Sequence, residues 1–290
     1  MGAIRIGTSG WTYPSWRKVF YPPDLPAGRE LEHIAGLMNS VEINATFYRL
    51  QSPDTFRRWR AGTPDGFLFA IKGGRFITHQ KQLNDVEGAL ANFFASGLLL
   101  LDDKMGPILW QVPERMRFDA GRIERFLDLL PHDTEEAARL ARRHDDKVAG
   151  RCWTETDAVR PIRHALEARH TSFQDPRYLD LLRRHGVASV SSDAPGWKRQ
   201  DALTTDFAYA RLHGAEELYA SGYSDADLDA WATRIRGWMV EGATEVFVYF
   251  DNDARVRAPF DALNLARRFE RTNAPAFDRE AGSDTRLSSD

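Results

Sequence analysis

One cysteine, Cys152, occurs among 290 residues. An intramolecular disulfide is therefore excluded, and a reducing compartment, the cytoplasm, is the expected setting. A lone cysteine reads first as a small apolar side chain rather than a nucleophile. No apolar run reaches the length of a membrane span. The first residues lack the basic-then-apolar pattern of a secretory leader, and Ile6 stands where a myristoylation site needs Ser or Thr. Neither charge sign dominates: 39 Lys and Arg face 42 Asp and Glu, a net charge of −3. Nothing there draws the chain generally to nucleic acid or to an anionic membrane. Phosphate-binding glycine loops are missing too, since "GTSGWT" (residues 7–12) is not G-x-G-x-x-G and no G-x-x-x-x-G-K-[ST] occurs. Without H-x-H or H-E-x-x-H, no metal or other cofactor is expected, although His79, Glu167, Asp193 and His213 supply ligand types.

What the sequence does contain is a series of short apolar runs. They are "IRIGT" (4–8), "SVEIN" (40–44), "FLFAIK" (67–72), "PILWQV" (107–112), "HALEAR" (164–169), "VASVSSD" (187–193), "FAYARLH" (207–213) and "EVFVYFD" (245–251). Helical patterns separate most of them, at 31–38, 53–59, 86–96, 120–130, 176–185 and 225–241, and another follows the last run at 260–272. Eight short buried strands alternating with helices predict an α/β protein, a single closed parallel (β/α)8 barrel of the TIM type. An open doubly wound sheet is the alternative. The barrel domain is expected over residues 1–275, with a polar tail at 276–290. Residues 133–160 are too long for one connection and predict a helical excursion between strands four and five, capped by Asp133 or Thr134.

The strands turn polar toward their C-terminal ends, where barrel enzymes place their chemistry. Period-two alternation puts Glu42 with Asn44, and Tyr209 with Arg211 and His213, on shared faces. Lys72, Gln111, Glu167, Arg169, Asp193, Tyr249, Asp251 and Asn252 stand at other strand ends, and His79 follows strand three. Unpaired buried charge is costly, so this ring needs partners, water or a ligand. A self-satisfied network, with Lys72 or Arg211 paired to Glu42 or Glu167, is the plain alternative. Arg211 is expected to meet an anionic ligand in a wetted pocket rather than to pair structurally.

The segment "GTSGWTYPSW" feeds the same end of the barrel. Gly7 and Gly10 allow a tight turn or a close approach. Trp16 and Phe20, four apart, are expected to pack on the domain. Trp11 and Tyr13 are expected at the rim, where they would stack on a ring.

The segments "IGTSGWTYPSWRKVFYP", "EINATFYR", "FLFAIKGGRFITH", "GPILWQVP", "EARHTSF", "YARLHG" and "YFDND" resemble, in order, those of the YecE-like family of domains of unknown function. The resemblance covers residues 4–273 and implies a TIM-type barrel, with no assigned reaction. Barrels of that family look similar to the endonuclease IV and xylose isomerase group, which act on phosphodiesters and sugars. Three positions depart from the family pattern: Glu114 replaces a second proline, Phe173 a tryptophan, and Asp251 the first asparagine of "FNN".

Three functions fit these residues. In a phosphoester or nucleic-acid hydrolase, Lys72, His79, Arg169, Arg211 and His213 hold the phosphate while Glu42, Glu167 or Asp193 positions water. In a sugar or sugar-phosphate isomerase, epimerase or lyase, the carboxylates with Lys72 or His213 move a proton next to a carbonyl, and the aromatics stack on the sugar. In a non-catalytic module, the ring only binds a small anionic, phosphorylated or sugar-like ligand. The basic runs at 57–60, 142–143, 183–184 and 267–268 could suggest nucleic acid, but they are interleaved with acids and read as solvated helix faces. Oligomeric state is not readable from the sequence.

Overall fold

In the computed structural model of the chain, residues 2–270 are described, so the expected tail at 276–290 lies outside them. The eight expected strands are present: β1 (Ala3–Thr8), β2 (Ser40–Ile43), β3 (Leu68–Lys72), β4 (Met105–Gln111), β5 (His164–Glu167), β6 (Val187–Asp193), β7 (Phe207–Leu212) and β8 (Glu245–Phe250). All ladders are parallel, and the sheet runs β1-β8-β7-β6-β5-β4-β3-β2. First and last strands pair, as a closed barrel requires, with Ile4 opposite Val246 and Thr8 opposite Phe250.

The connecting helices are α1 (Glu30–Ala35), α2 (Ala45–Tyr48), α3 (Pro53–Ala61), α4 (Glu87–Ala95), α5 (Ala120–Leu127), α6 (Thr134–Ala141), α7 (Pro176–Arg184), α8 (Asp225–Glu241) and α9 (Ala258–Glu270). Their starts follow local chemistry. Pro53 and Pro176 sit in first turns, and Ser52, Asp119, Asp133 and Asp175 accept backbone N–H bonds as N-caps. The expected excursion at 133–160 holds α6, with Asp133 Oδ1 accepting from Glu136 N at 2.8 Å, and α5 is the helix expected at 120–130. Between β6 and β7 the described chain forms no helix.

No ladder joins β1 to β2 among the described residues; the seam closes by other means. Asn39 stands in for a strand: its Oδ1 accepts from Ile6 N at 3.0 Å and its Nδ2 donates to the Ile4 carbonyl at 2.9 Å. Higher up, Gly10 N donates to the Glu42 carbonyl at 2.8 Å. Between them Gly7 lies against β2 so closely that a Cβ there would stand 1.9 Å from the Ser40 carbonyl oxygen.

The barrel interior is thin and layered. Arg5 and Arg163 both bind Glu245, each at 2.7 Å, at its N-terminal end, and the Arg163 guanidinium lies over the rings of Phe207 and Phe247. Above them sit Leu68, Ala70, Leu109, Ala165, Ala188 and Val190, then Tyr209 and Tyr249. The alternate strand residues, among them Val41, Ile43, Phe69, Ile71, Trp110, Leu166 and Val248, face the helices and form the larger core.

Candidate functional site at the barrel mouth

Arg211, inward on β7, is fully buried. Its Nε and Nη2 bind the two carboxylate oxygens of Glu42 at 3.0 and 2.8 Å, the forked geometry a guanidinium favours. Nη1 donates to Glu167 Oε2, and Nη2 also to Ser9 Oγ and Asp251 Oδ2, each at 2.9 Å. Burial works against the charge, but Glu42, Asp251 and Glu167 outweigh it and raise the Arg211 pKa far above its ordinary value. Glu42 also accepts from Tyr209 Oη at 2.7 Å and from Ser9 Oγ. Arg211 therefore braces four strand ends, those of β1, β2, β5 and β8. The expectation that it meets a ligand is corrected: its donors face protein carboxylates.

Glu167 is equally buried and is shared between Arg211 and Arg169, whose Nε and Nη2 lie 2.9 and 2.8 Å from Oε1. Burial alone would raise the pKa of this carboxyl; Arg169, then Arg211 and His213, hold it well below the usual range. Asp251 is held down likewise, with burial opposed by Arg211, His213 and Lys72. The Arg169 guanidinium stacks on Trp197 at 4.1 Å and donates to Tyr219 Oη at 3.2 Å. Tyr219 takes a left-handed backbone (φ 62°), a conformation costly for a bulky residue.

Lys72 behaves differently. Its side chain is buried at the end of β3, yet among the described residues its ammonium makes neither a hydrogen bond nor an ion pair. Its recorded contact is the face of Phe47, 4.7 Å from Nζ. Burial, then the nearby charge of Arg211, pushes its pKa down to about 8, against the opposing pull of Asp251, Glu42 and Glu167. His79 packs edge-on to the same Phe47 ring and bonds Thr78 Oγ1 at 2.9 Å. Its pKa falls to about 4, from burial and then from Lys72 and neighbouring arginines, so it stays neutral near pH 7.

A stability effect follows from Lys72. Between about pH 8 and 10.5 the unfolded chain holds a proton that the native Lys72 has lost, so native stability rises with pH across that window. Lys72→Met is expected to be more stable than the wild type at pH 7 by roughly 1–3 kcal/mol, an advantage that shrinks toward pH 9.5. Urea denaturation of both proteins at the two pH values checks this; equal stability at pH 7 would contradict the buried, unpartnered ammonium.

Several polar atoms at this end are buried without hydrogen bonds: both ring nitrogens of His213, Oδ1 of Asn44 and Oγ of Ser192. The His213 nitrogens lie 3.2 Å from Asp251 and 3.5 Å from Glu167, outside hydrogen-bonding angles. Asn44 Nδ2 donates to Ser9 Oγ and to the Ser9 carbonyl, both at 3.0 Å. Gln111, opposite Glu167 in the β4–β5 ladder, is buried beside them. Tyr13 reaches back to the Ser9 carbonyl, and burial, then Asp251 and Asp253, raises its pKa. Asp253, half-buried, is itself raised to about 6 by burial and then Asp251.

Four expected site residues fall elsewhere. Trp11 is buried against Trp59 and Phe69, edge to face with Trp59 at 5.4 Å, so it cannot stack on a ligand. Asp193 accepts from Trp231 Nε1 at 3.0 Å on the helix side of β6. Asn252 binds Asp261 and the Ser221 carbonyl behind β8. Tyr249 lies below the charged layer, bonded to Ser40 Oγ at 2.6 Å. The mouth thus gathers Tyr13, Glu42, Asn44, Lys72, His79, Gln111, Glu167, Arg169, Tyr209, Arg211, His213 and Asp251. Ser9, Phe47, Trp197, Tyr219 and Asp253 join them without having been read from the sequence. Among the described residues, no three His, Cys, Asp or Glu side chains are arranged to hold a metal ion.

The model of a family described as "protein of unknown function DUF72" matches residues 5–284. The chain belongs to the DUF72 family. Curated relatives agree with that placement. The UPF0759 protein YecE of Escherichia coli K12 is 30% identical over 129 residues, 44% of each chain, and YunF of Bacillus subtilis is 30% identical over 79 residues, 27% of each. The aligned stretch thus spans less than half the length of these relatives. The crystal structure of a DUF72 protein from Thermotoga maritima superposes with a TM-score of 0.73 at 24% identity, covering 92% of this chain and 99% of that one. A DUF72 protein from Enterococcus faecalis gives 0.68 at 16%, covering 93% and 98%. These likenesses establish the DUF72 barrel, as the resemblance implied. Three of the basic runs of this DUF72 chain lie on α3, α7 and α9 and the run at 142–143 follows the end of α6; Arg57, Arg60, Arg183, Arg184 and Arg268 are paired with carboxylates. No helix among its described residues is long and apolar enough to cross a membrane.

Proposed function

We propose that the barrel mouth is an enzyme site for a small, anionic, carbonyl-bearing molecule such as a keto acid or sugar phosphate, and that Lys72 moves a proton there. This is isomerase- or lyase-type chemistry. The observation that carries it is Lys72: a buried amine without a polar partner, at the C-terminal end of a barrel strand, with its pKa brought near neutrality. At the same end Asn44 Oδ1 and Ser192 Oγ are buried without hydrogen bonds, and the His213 nitrogens face Asp251 and Glu167. Phosphoester hydrolysis is supported less well. Of the bases expected for it, Glu42 and Glu167 are bound by arginines and Asp193 faces α8, which leaves the half-buried Asp253 to take a proton from water.

The test is a thermal-shift comparison with inorganic phosphate, pyruvate and dihydroxyacetone phosphate. A carbonyl-bearing anion is expected to stabilise the wild type and to lose that effect in Lys72→Met. Stabilisation by phosphate alone would favour the hydrolase reading, and no stabilisation by any of the three would count against a site here.

A further inference from the structure

The chain holds six lysines, two of them deeply buried: Lys72 and Lys104. Comparing the two isolates what is unusual. The Lys104 ammonium donates to the Arg60 carbonyl at 2.9 Å, the Thr63 carbonyl at 2.7 Å and Thr63 Oγ1 at 3.2 Å. Three acceptors fit the three protons of an ammonium, so Lys104 is built to stay charged and fixed. Lys72 has the opposite surroundings: a flat aromatic face and a neighbouring cation, with the carboxylates of its layer committed to Arg211 and Arg169. Removal from water beside another cation is the setting that turns a lysine into a nucleophile at neutral pH. Its Nζ is also free of the hydrogen bonds that would occupy its lone pair once the proton has gone.

We propose that Lys72 is an imine-forming lysine, its Nζ bonding covalently to the carbonyl carbon of a small keto acid or ketose phosphate. This rests on the reading of the mouth as a carbonyl site and names its chemistry. The ammonium first gives one proton to solvent. The amine lone pair then forms the N–C bond, and the carbonyl π pair moves to oxygen, which takes the proton that the nitrogen gives up, to yield a neutral carbinolamine. Loss of that oxygen as water, with a second proton from solvent, leaves the C=N bond of a protonated imine. No oxidant or reductant is consumed. The cation so formed replaces the lysine charge, so the balance with Glu42, Glu167 and Asp251 is kept. Phe47 supplies a flat face for the planar C=N group.

Reductive trapping tests the proposal. The intact protein is incubated with pyruvate or dihydroxyacetone phosphate and sodium cyanoborohydride, a hydride donor that fixes an imine as a secondary amine. The expected result is one adduct per chain, heavier by the ketone less one oxygen, mapped by peptide mass to Lys72. The adduct is expected to be absent from Lys72→Arg, which keeps the charge but not the amine. Label spread over the exposed Lys18, Lys147 and Lys198 with Lys72 unmodified would overturn it. Thermal shifts with the same ketones, without reductant, separate this proposal from the one beneath it. Stabilisation lost in Lys72→Met but with no adduct at Lys72 would overturn the imine and leave proton transfer standing. Neither stabilisation nor adduct would overturn both.

Discussion

Replacing Arg211 by Met is expected to destabilise the protein by about 3–5 kcal/mol, the range for breaking a buried ion pair on one side. Methionine keeps the length of the side chain but none of its five donors. Glu42, Glu167 and Asp251 would then share their layer with Arg169 and Lys72 alone, and Glu42 would lose both forked hydrogen bonds. The loss depends on pH. Glu167 and Asp251 are held below the usual carboxylate range, so the stability they contribute is complete above that range and disappears as pH falls through their folded values. Without Arg211 those values rise, and the difference between variant and wild type narrows in acid. Urea denaturation at pH 7 and pH 4 reads both effects. A loss under about 1 kcal/mol at pH 7, with ligand stabilisation abolished, would return Arg211 to a substrate-holding role.

Gly7→Ala, a change of one methyl group, is expected to cost about 3 kcal/mol, at the upper end of ordinary overpacking. The new Cβ would stand 1.9 Å from the carbonyl oxygen and 2.8 Å from the carbonyl carbon of Ser40. Both are backbone atoms, so no side chain can rotate aside and the strands must part. Asn39 and Gly10, which bridge the same seam, would be strained with them. Gly88→Ala in α4 is the control, because a Cβ there meets nothing within 4 Å; it is expected to be neutral or mildly stabilising. Equal melting temperatures for the two variants would show that the seam is slack.

Much of this barrel was readable because parallel strands obey a two-residue alternation. That rule placed Glu42, Glu167, Tyr209 and Arg211 inside, and it could have gone further. Val190 and Ser192 share one parity, so Asp193 must face α8; Phe250 faces the outer core, and Asn252 goes with it. The same count from Arg5 through Gly7 would have found Ser9. Trp11 was misplaced for another reason. Gly10 turns the chain at φ 91°, and the direction a loop takes after such a turn is not written in residue types. Trp197 and Tyr219 come from loops with no period at all. The pairing of Arg211 was underdetermined, since a guanidinium among carboxylates looks the same in sequence whether a ligand or a second acid completes it.

Among the described residues β1 forms a ladder only with β8, so its hydrogen-bonding partner is made about 240 residues later. Until residues 245–250 emerge, the first strand made can be held only through side-chain and turn contacts to β2. Such long-range closure is entropically expensive and slow, and it leaves two open sheet edges during synthesis. A chain stalled before β8 would thus expose β1 and β7 together, so closure of the barrel waits for residues 245–250.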